Sequence, residues 1–244
     1  MKTLKRFDYL LQIVGVLSLM TLIAISMPLA TVSAMEPAST DPTLVVQNEI
    51  STLTKAEVQD MLFMREEEKL ARDVYLTLYQ TWGLPIFQNI ANSEATHMEA
   101  IKNLINQYGL VDPVSDNTIG VFNDETLQAL YNQLIAEGSQ SVADALRVGA
   151  AIEEIDILDL EEAIAHTDKA DIQLVYENLM KGSRNHLRSF TSTLQQQTGQ
   201  IYAPQYLDAA TYQEIVDTAQ ETGKTGQGRS GKNQSSQPGQ RSRR

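Results

Sequence analysis

Two of the three histidines in the chain, together with several acidic residues, occur where a helix would present apolar side chains to a core. Glu94 and His97 are three residues apart, so a helix places both side chains on one face, one turn apart. They interrupt an apolar series that runs at steps of three and four through Ile90 and Ile101. Carboxylate and imidazole donors on a shared face are typical of sites for iron, manganese or zinc.

The same interruption occurs in three other helical segments of the sequence. In each segment the polar residues lie near the middle, two turns or more from either end. In an antiparallel bundle the middles of the helices lie at one level, so these side chains would converge. The interruptions are Glu68 in the first segment, Glu94 and His97 in the second, Glu153 and Asp156 in the third, and Ser183 and His186 in the fourth.

The four converging carboxylates would be unstable without counter-charges. Buried, unpaired carboxylates cost several kcal/mol each and repel one another. The four core-facing series contain no Lys or Arg, whereas two divalent cations would balance four carboxylates. The sequence therefore predicts a site for two ions of iron or manganese, with zinc as the alternative.

The periodicity of apolar residues is helical throughout the middle of the chain. Thr54 and Glu57 form a capping box, Asp168 is a predicted N-cap, and Gly199 is a predicted stop. Two short connections and one long one predict an all-α fold, a four-helix bundle with one long crossover between helices two and three. The predicted helices cover 54–82, 84–108, 141–166 and 168–197, with shorter pieces near 124–137 and 207–218.

The ends of the chain differ in composition from the bundle. A basic start, a long apolar run and a small-x-small cleavage site make residues 1–34 a predicted signal peptide, with an uncleaved anchor as the alternative. The protein is therefore expected to be secreted, periplasmic or in the cell envelope. The remaining predicted divisions are a linker at 35–52, the bundle at 53–200, a short C-terminal helix at 201–218 and a disordered basic tail at 219–244.

Composition excludes several kinds of chemistry. The 244 residues include no cysteine, which rules out thiolate metal sites and a cysteine nucleophile. Residues 35–218 contain 10 Lys or Arg and 29 Asp or Glu, a net charge of −19, so no nucleic acid is expected at the folded domain. The tail has six Lys or Arg against one Glu, and a weak contact with an anionic surface is the functional alternative to a solubilising role.

The segment Glu68-Lys-Leu-Ala-Arg-Asp-Val-Tyr75, followed by Glu94-x-x-His97, resembles the ferritin-like superfamily, especially its rubrerythrin-type members. Residues 50–200 look like an exported prokaryotic branch of it that is known only as a domain of unknown function. The resemblance implies that Glu68, Glu94, His97 and Glu153 are ligands of a di-iron or di-manganese centre. It also implies that His186 is the histidine of the second Glu-x-x-His motif.

Ser183 departs from this pattern, because the superfamily has glutamate there. Asp156, one turn after Glu153, is the predicted replacement for the missing charge. If Asp156 does not reach the metals, the site is mononuclear, weakly occupied or empty. The chain also cannot carry the cysteine-ligated iron domain that often supplies electrons in rubrerythrins, so a peroxidase cycle would need an external reductant.

Several residues have a structural interpretation beside the functional one. Glu67 belongs to a second stripe with Phe63 and Leu70, so Glu68 is the predicted ligand from this acidic run. Tyr75 is interpreted as plain core, and His166 as an exposed residue that interacts with the dipole at a helix C-terminus.

The resemblance implies an oxidoreductase with ferroxidase-, peroxidase- or catalase-like activity, whose partners are a small-molecule oxidant or a metal ion. A non-catalytic metal-binding or interaction module of the cell envelope is the second hypothesis. A metal-free structural bundle is the third. A homodimer is compatible with all of them.

Overall fold

A computed structural model describes residues 53–222 of the chain, and within that range it is all-helical, with six helices and no strand. The predicted signal peptide, the linker up to residue 52 and most of the basic tail lie outside the described residues. The helices are α1 (Lys55–Trp82), α2 (Pro85–Gln107), α3 (Glu125–Gly138), α4 (Val142–Ala165), α5 (Ala170–Thr198) and α6 (Ala209–Asp217). None of them combines the length and apolarity needed to cross a membrane.

The four long helices form two hairpins. α1 packs mainly against α2, and α4 packs mainly against α5. Gly83 ends α1 in the left-handed conformation, with φ of 65°, and only two residues separate α1 from α2. Contacts between α1 and α4 and between α2 and α5 join the hairpins into a helical bundle. The all-α prediction is confirmed.

The helix ends match the sequence signals with one exception. The predicted capping box is present: Thr54 Oγ1 accepts from the Glu57 N–H at 3.2 Å, and Glu57 accepts from the Thr54 N–H at 2.6 Å. The prediction that Asp168 is the N-cap of the fourth long helix is wrong, because α5 begins at Ala170 after Lys169. Lys169 takes the N-cap position instead, and its ammonium lies 2.9 Å from a carboxylate oxygen of the buried Glu57.

The connection between α2 and α4 runs along α1 and is attached to it by hydrogen bonds. Lys69 Nζ donates to Asp73 Oδ2 at 2.6 Å and to the carbonyls of Thr118 and Val121 at 3.0 Å. Toward the far end of α1, Trp82 Nε1 donates to the Gly138 carbonyl at 2.8 Å. The crossover thus passes from one end of the bundle to the other beside α1.

The C-terminal segment packs on the outside of the second hairpin. Three successive backbone N–H groups, those of residues 205–207, donate to Glu154 Oε2 at 2.6–3.0 Å. Farther on, Glu221 pairs with Arg184 at 2.6 Å and with Arg188 at 3.1 Å. The tail predicted to be disordered from residue 219 is therefore attached to α5 as far as Glu221.

Candidate metal centre

A layer of polar side chains divides the bundle core into two apolar parts. One apolar cluster surrounds Met64, Leu104 and Leu160, and the other surrounds Tyr75 and Phe190. The polar residues that interrupt the four apolar series lie between these clusters, and each is at most 9% exposed. They are Glu68 from α1, Glu94 and His97 from α2, Glu153 and Asp156 from α4, and Ser183 and His186 from α5.

Three of these residues form a first group of potential ligands across α1 and α2. His97 Nδ1 lies 2.7 Å from Glu94 Oε2 and 3.3 Å from Glu68 Oε2. One donor atom from each of the three side chains lies within 4.8 Å of the others. Such a spacing allows all three to reach one cation.

A second group joins α2 to the other hairpin. His186 Nδ1 lies 2.8 Å from Glu94 Oε1 and 3.4 Å from Glu153 Oε2. These three residues also place donor atoms within 4.8 Å of one another. Glu94 belongs to both groups through its two oxygens, which is the arrangement of a carboxylate that bridges two ions.

Asp156 is the one predicted ligand outside both groups. It is buried, but the Ser183 hydroxyl donates to its Oδ2, and Ser183 also contacts the Leu179 carbonyl at 3.0 Å. Asp156 is thus hydrogen-bonded to the residue that stands in place of the expected glutamate, and its replacement of the missing charge stays a prediction. Asp156 Oδ1 has no hydrogen-bond partner.

The electrostatics of the polar layer follow from burial and from close charges. Burial raises the pKa of Glu94, but the imidazoliums of His186 and His97 outweigh it and hold that pKa well below its usual range. Burial lowers the pKa of His186, whereas the Glu94 and Glu153 carboxylates raise it to about 10. Burial, together with repulsion from Glu153, raises the pKa of Asp156 to about 8.

The donor set fits a divalent metal pair. Metal–ligand bonds of about 2.1 Å put neighbouring ligand atoms about 3 Å apart, close to the 2.7 and 2.8 Å separations of the two imidazoles from Glu94. Glu94 Oε1 and His186 Nδ1 are 2.8 Å apart, but their geometry is not that of a hydrogen bond. Glu68 Oε1 also has no hydrogen-bond partner. Buried polar atoms of this kind are costly unless something else binds them.

Two residues outside the predicted ligand set support this layer. Tyr75, interpreted as plain core, donates its hydroxyl to Glu153 Oε1 at 2.6 Å. Gly182 has no side chain where a Cβ would lie 2.6 Å from His97 Cε1 and Nε2. A glycine in the middle of a long helix is less favourable than alanine by about 1 kcal/mol. Its presence at position 182 was the feature of the sequence that could have indicated a close contact there.

Acidic residues beside the layer are also more buried than expected. Glu67, assigned to a different stripe from Glu68, is only 4% exposed, and Asp159 is 5% exposed. Burial and the carboxylates of Asp159 and Asp156 raise the pKa of Glu67 well above its usual range.

His166 is the exposed C-cap of α4, as predicted, and its Nδ1 also lies 2.7 Å from a carboxylate oxygen of Asp60.

Comparison with known proteins identifies the family. A family model described as an uncharacterized protein domain, DUF2202, matches residues 57–219. This range covers the six helices almost completely. The chain therefore belongs to the DUF2202 family, in agreement with the predicted domain of unknown function.

A relative and a solved structure from a methanogenic archaeon are similar to the chain. The uncharacterized protein MJ0754 of Methanocaldococcus jannaschii is 52% identical over 171 residues, which cover 70% of this chain and 92% of that protein. The crystal structure of the hypothetical protein MJ0754 from Methanococcus jannaschii DSM 2661 is 49% identical, with a TM-score of 0.67. That similarity covers 75% of this chain and 100% of that one.

Proposed function

We propose that the protein is an exported, ferritin-like four-helix bundle that holds two ions of iron or manganese between its hairpins. The observation that carries this proposal is the pair of three-residue groups that share Glu94. A single carboxylate placed between two imidazoles, each with a further carboxylate, suits two ions better than one. Bound iron or manganese would supply redox chemistry toward dioxygen, peroxide or ferrous iron.

The residues of the chain divide the work of binding. Glu68 and His97 would hold one ion, Glu153 and His186 would hold the other, and Glu94 would bridge them. Both histidines direct Nδ1 to the carboxylates, and the Nε2 atom of His186 lies 3.0 Å from Ser93 Oγ. A hydrogen bond to the second ring nitrogen fixes the orientation of a ligating imidazole.

The apolar clusters on either side of the layer would exclude bulk water. Met64 and Leu104 close one side, and Tyr75 and Phe190 close the other, where their ring centroids are 5.1 Å apart. Charges interact more strongly in such a water-poor environment than at a surface. The two histidines, at 9% and 8% exposure, give the layer its contact with solvent, where a small oxidant would approach.

A non-catalytic metal-binding module of the cell envelope is the second candidate. Ser183 favours it, because this residue engages Asp156 instead of supplying a carboxylate. The absence of cysteine from the sequence also means that the chain carries no thiolate-ligated iron of its own to deliver electrons. Multiple turnovers of peroxide or ferrous iron by the metal-loaded protein would exclude this candidate.

Metal analysis tests the proposal directly. Protein purified without chelator should contain about two iron or manganese ions per chain. Because Glu94 belongs to both groups, Glu94→Ala should lose both ions, whereas His97→Ala and His186→Ala should each lose one. Glu99→Ala, an exposed substitution on the same helix, is the matched control. Absence of metal from the wild-type protein, even after incubation with iron(II) or manganese(II), would exclude the proposal.

A further inference from the structure

Four acidic residues follow one another at three-residue steps along α4. They begin in the proposed centre at Glu153 and continue through Asp156 and Asp159 to Glu162. The first three side chains are buried, whereas the side chain of Glu162 is 42% exposed. The series therefore leads from the centre to the protein surface.

Helix geometry explains this change of environment. A helix turns about 100° per residue, so a three-residue step moves the side chain backward by about 60° and forward by about 4.5 Å. Three such steps turn the series by about half a circle over about 13 Å. The carboxylates consequently wind from the inner face of α4, past its contact with α1, to the outer face.

Glu67 faces this series from α1. The groups that act most strongly on its carboxyl are Asp159, Asp156 and Glu68, and a hydrogen bond joins it to Asp159. Glu67 therefore lies close to the middle of the acidic series, and it directly precedes the ligand Glu68 in the chain. Carboxylates from two helices meet at this level.

Two oxygens on this path are buried and lack hydrogen-bond partners. They are Glu67 Oε2 and Asp156 Oδ1, on side chains that are at least 95% buried. A buried carboxylate oxygen without a partner costs free energy that a passing cation would recover. Neither the repulsion among these acids nor their burial stabilises the metal-free fold.

We propose that divalent cations reach the centre along this series: from Glu162 at the surface, past Asp159 and Glu67, to Asp156 and Glu153. The inference rests on the proposed function, because it requires a centre to fill. Glu67, Asp159 and Glu162 have no ligand role in that centre and act in its loading. Oxygen donors suit hard divalent cations that retain part of their water shell.

Stopped-flow uptake of cobalt(II) by chelator-stripped protein tests the route, with visible absorption reporting the filled centre. Glu162→Gln and Asp159→Asn should each slow uptake by about 10-fold, in the range that electrostatic steering supplies. The equilibrium number of bound ions should stay at the wild-type value. Glu161→Gln, which removes the same charge from an exposed neighbour on α4, should load at the wild-type rate.

The outcomes separate the route from the function. If the wild-type protein binds cobalt(II) and both variants load as fast as Glu161→Gln, the route is wrong while the centre stands. If Asp159→Asn binds fewer ions at equilibrium, Asp159 is a ligand and not part of a route, which also overturns the inference. If the wild-type protein binds no cobalt(II), the route is wrong, and the centre fails with it if iron(II) and manganese(II) are not bound either. Thermal unfolding of each metal-free variant verifies that it is folded.

Discussion

The hydroxyl of Tyr75 donates a hydrogen bond to Glu153 Oε1 at 2.6 Å, which leaves Glu153 Oε2 to face His186 Nδ1 at 3.4 Å. The phenol thus determines which carboxylate oxygen points into the proposed centre. Tyr75 is completely buried, and its ring packs on Phe190, so the hydroxyl has little freedom to turn away. Burial and the Glu153 carboxylate raise the pKa of Tyr75 well above its usual range, which keeps the phenol protonated and donating.

Tyr75→Phe should weaken metal binding without removing a ligand. Outer hydrogen-bond partners of metal ligands commonly account for 10–100-fold in affinity, so we expect a loss of about 10-fold. Competition with a chromophoric chelator measures this change. Tyr131→Phe, which removes the hydroxyl that bonds to Thr77 away from the centre, should leave the affinity unchanged. Equal affinities for the two variants would contradict the positioning role of Tyr75.

Gly182→Ala should disturb His97 while preserving the helix. The added Cβ would lie 2.6 Å from two atoms of the imidazole, so the ring must move away from its present place. Alanine favours a helix over glycine by about 1 kcal/mol, which offsets part of the strain in the metal-free protein. We therefore expect the variant to bind about one ion fewer, with Lys181→Ala as the control. Elemental analysis that finds the wild-type metal content in Gly182→Ala would refute this expectation.

Metal binding should release protons at neutral pH. Because the pKa of His186 is raised to about 10 in the metal-free protein, its imidazole is protonated at pH 7, whereas a ligating imidazole must be neutral. Affinity should thus rise with pH from 6 to 8. Calorimetry in two buffers of different ionisation enthalpy measures the released protons, and His186→Gln should release fewer. Heats that are independent of the buffer would contradict the proposed role of His186.

The Glu57 carboxylate should make stability sensitive to acid. Burial raises its pKa, but hydrogen bonds from Lys169, Thr167 and Thr54 outweigh that effect and lower the pKa to about 2 from an ordinary value of 4.5. The resulting stabilisation is complete above pH 4.5 and is lost as the pH falls toward 2.

Glu57→Gln should lower the free energy of unfolding at pH 7 by about 1–3 kcal/mol and should flatten its dependence on pH below 4.5. Urea unfolding at pH 7, 5 and 3 provides the measurement. Glu125→Gln, at an exposed first-turn position of α3, should retain the wild-type profile. An unchanged profile in Glu57→Gln would show that the Glu57 carboxylate does not contribute to the acid sensitivity.

Local patterns in the sequence were sufficient to predict the helices. Steps of three and four identify the core-facing side of each helix, and Thr54 and Gly199 mark ends through interactions within a few residues. Asp168 is not the N-cap of α5: Lys169 takes that position, and its ammonium pairs with Glu57, which is 112 residues away in the chain. A contact between residues so far apart in the chain cannot be predicted from a local sequence pattern.

The candidate centre was predicted as a set of residues but not as a geometry. Glu94 and His97 could be placed together because they share one helix face. The hydrogen bond between Ser183 and Asp156 crosses the α4–α5 interface, and the burial of Glu67 depends on the packing of α1 against α4. Both are properties of packing between helices, which periodicity within one helix does not determine.

Two proposed ligands are followed immediately in the chain by residues that hydrogen-bond on a different side of the same helix. Lys69, which follows Glu68, donates a hydrogen bond to a carbonyl of the crossover. Glu154, which follows Glu153, accepts hydrogen bonds from three backbone N–H groups of the C-terminal segment. Neighbouring side chains differ by about 100° around a helix axis. The hydrogen bonds of Lys69 and Glu154 therefore restrict the rotation of each helix about its axis, and with it the direction in which the preceding carboxylate points. The alignment of the proposed ligands thus depends also on non-helical segments at the periphery of the bundle.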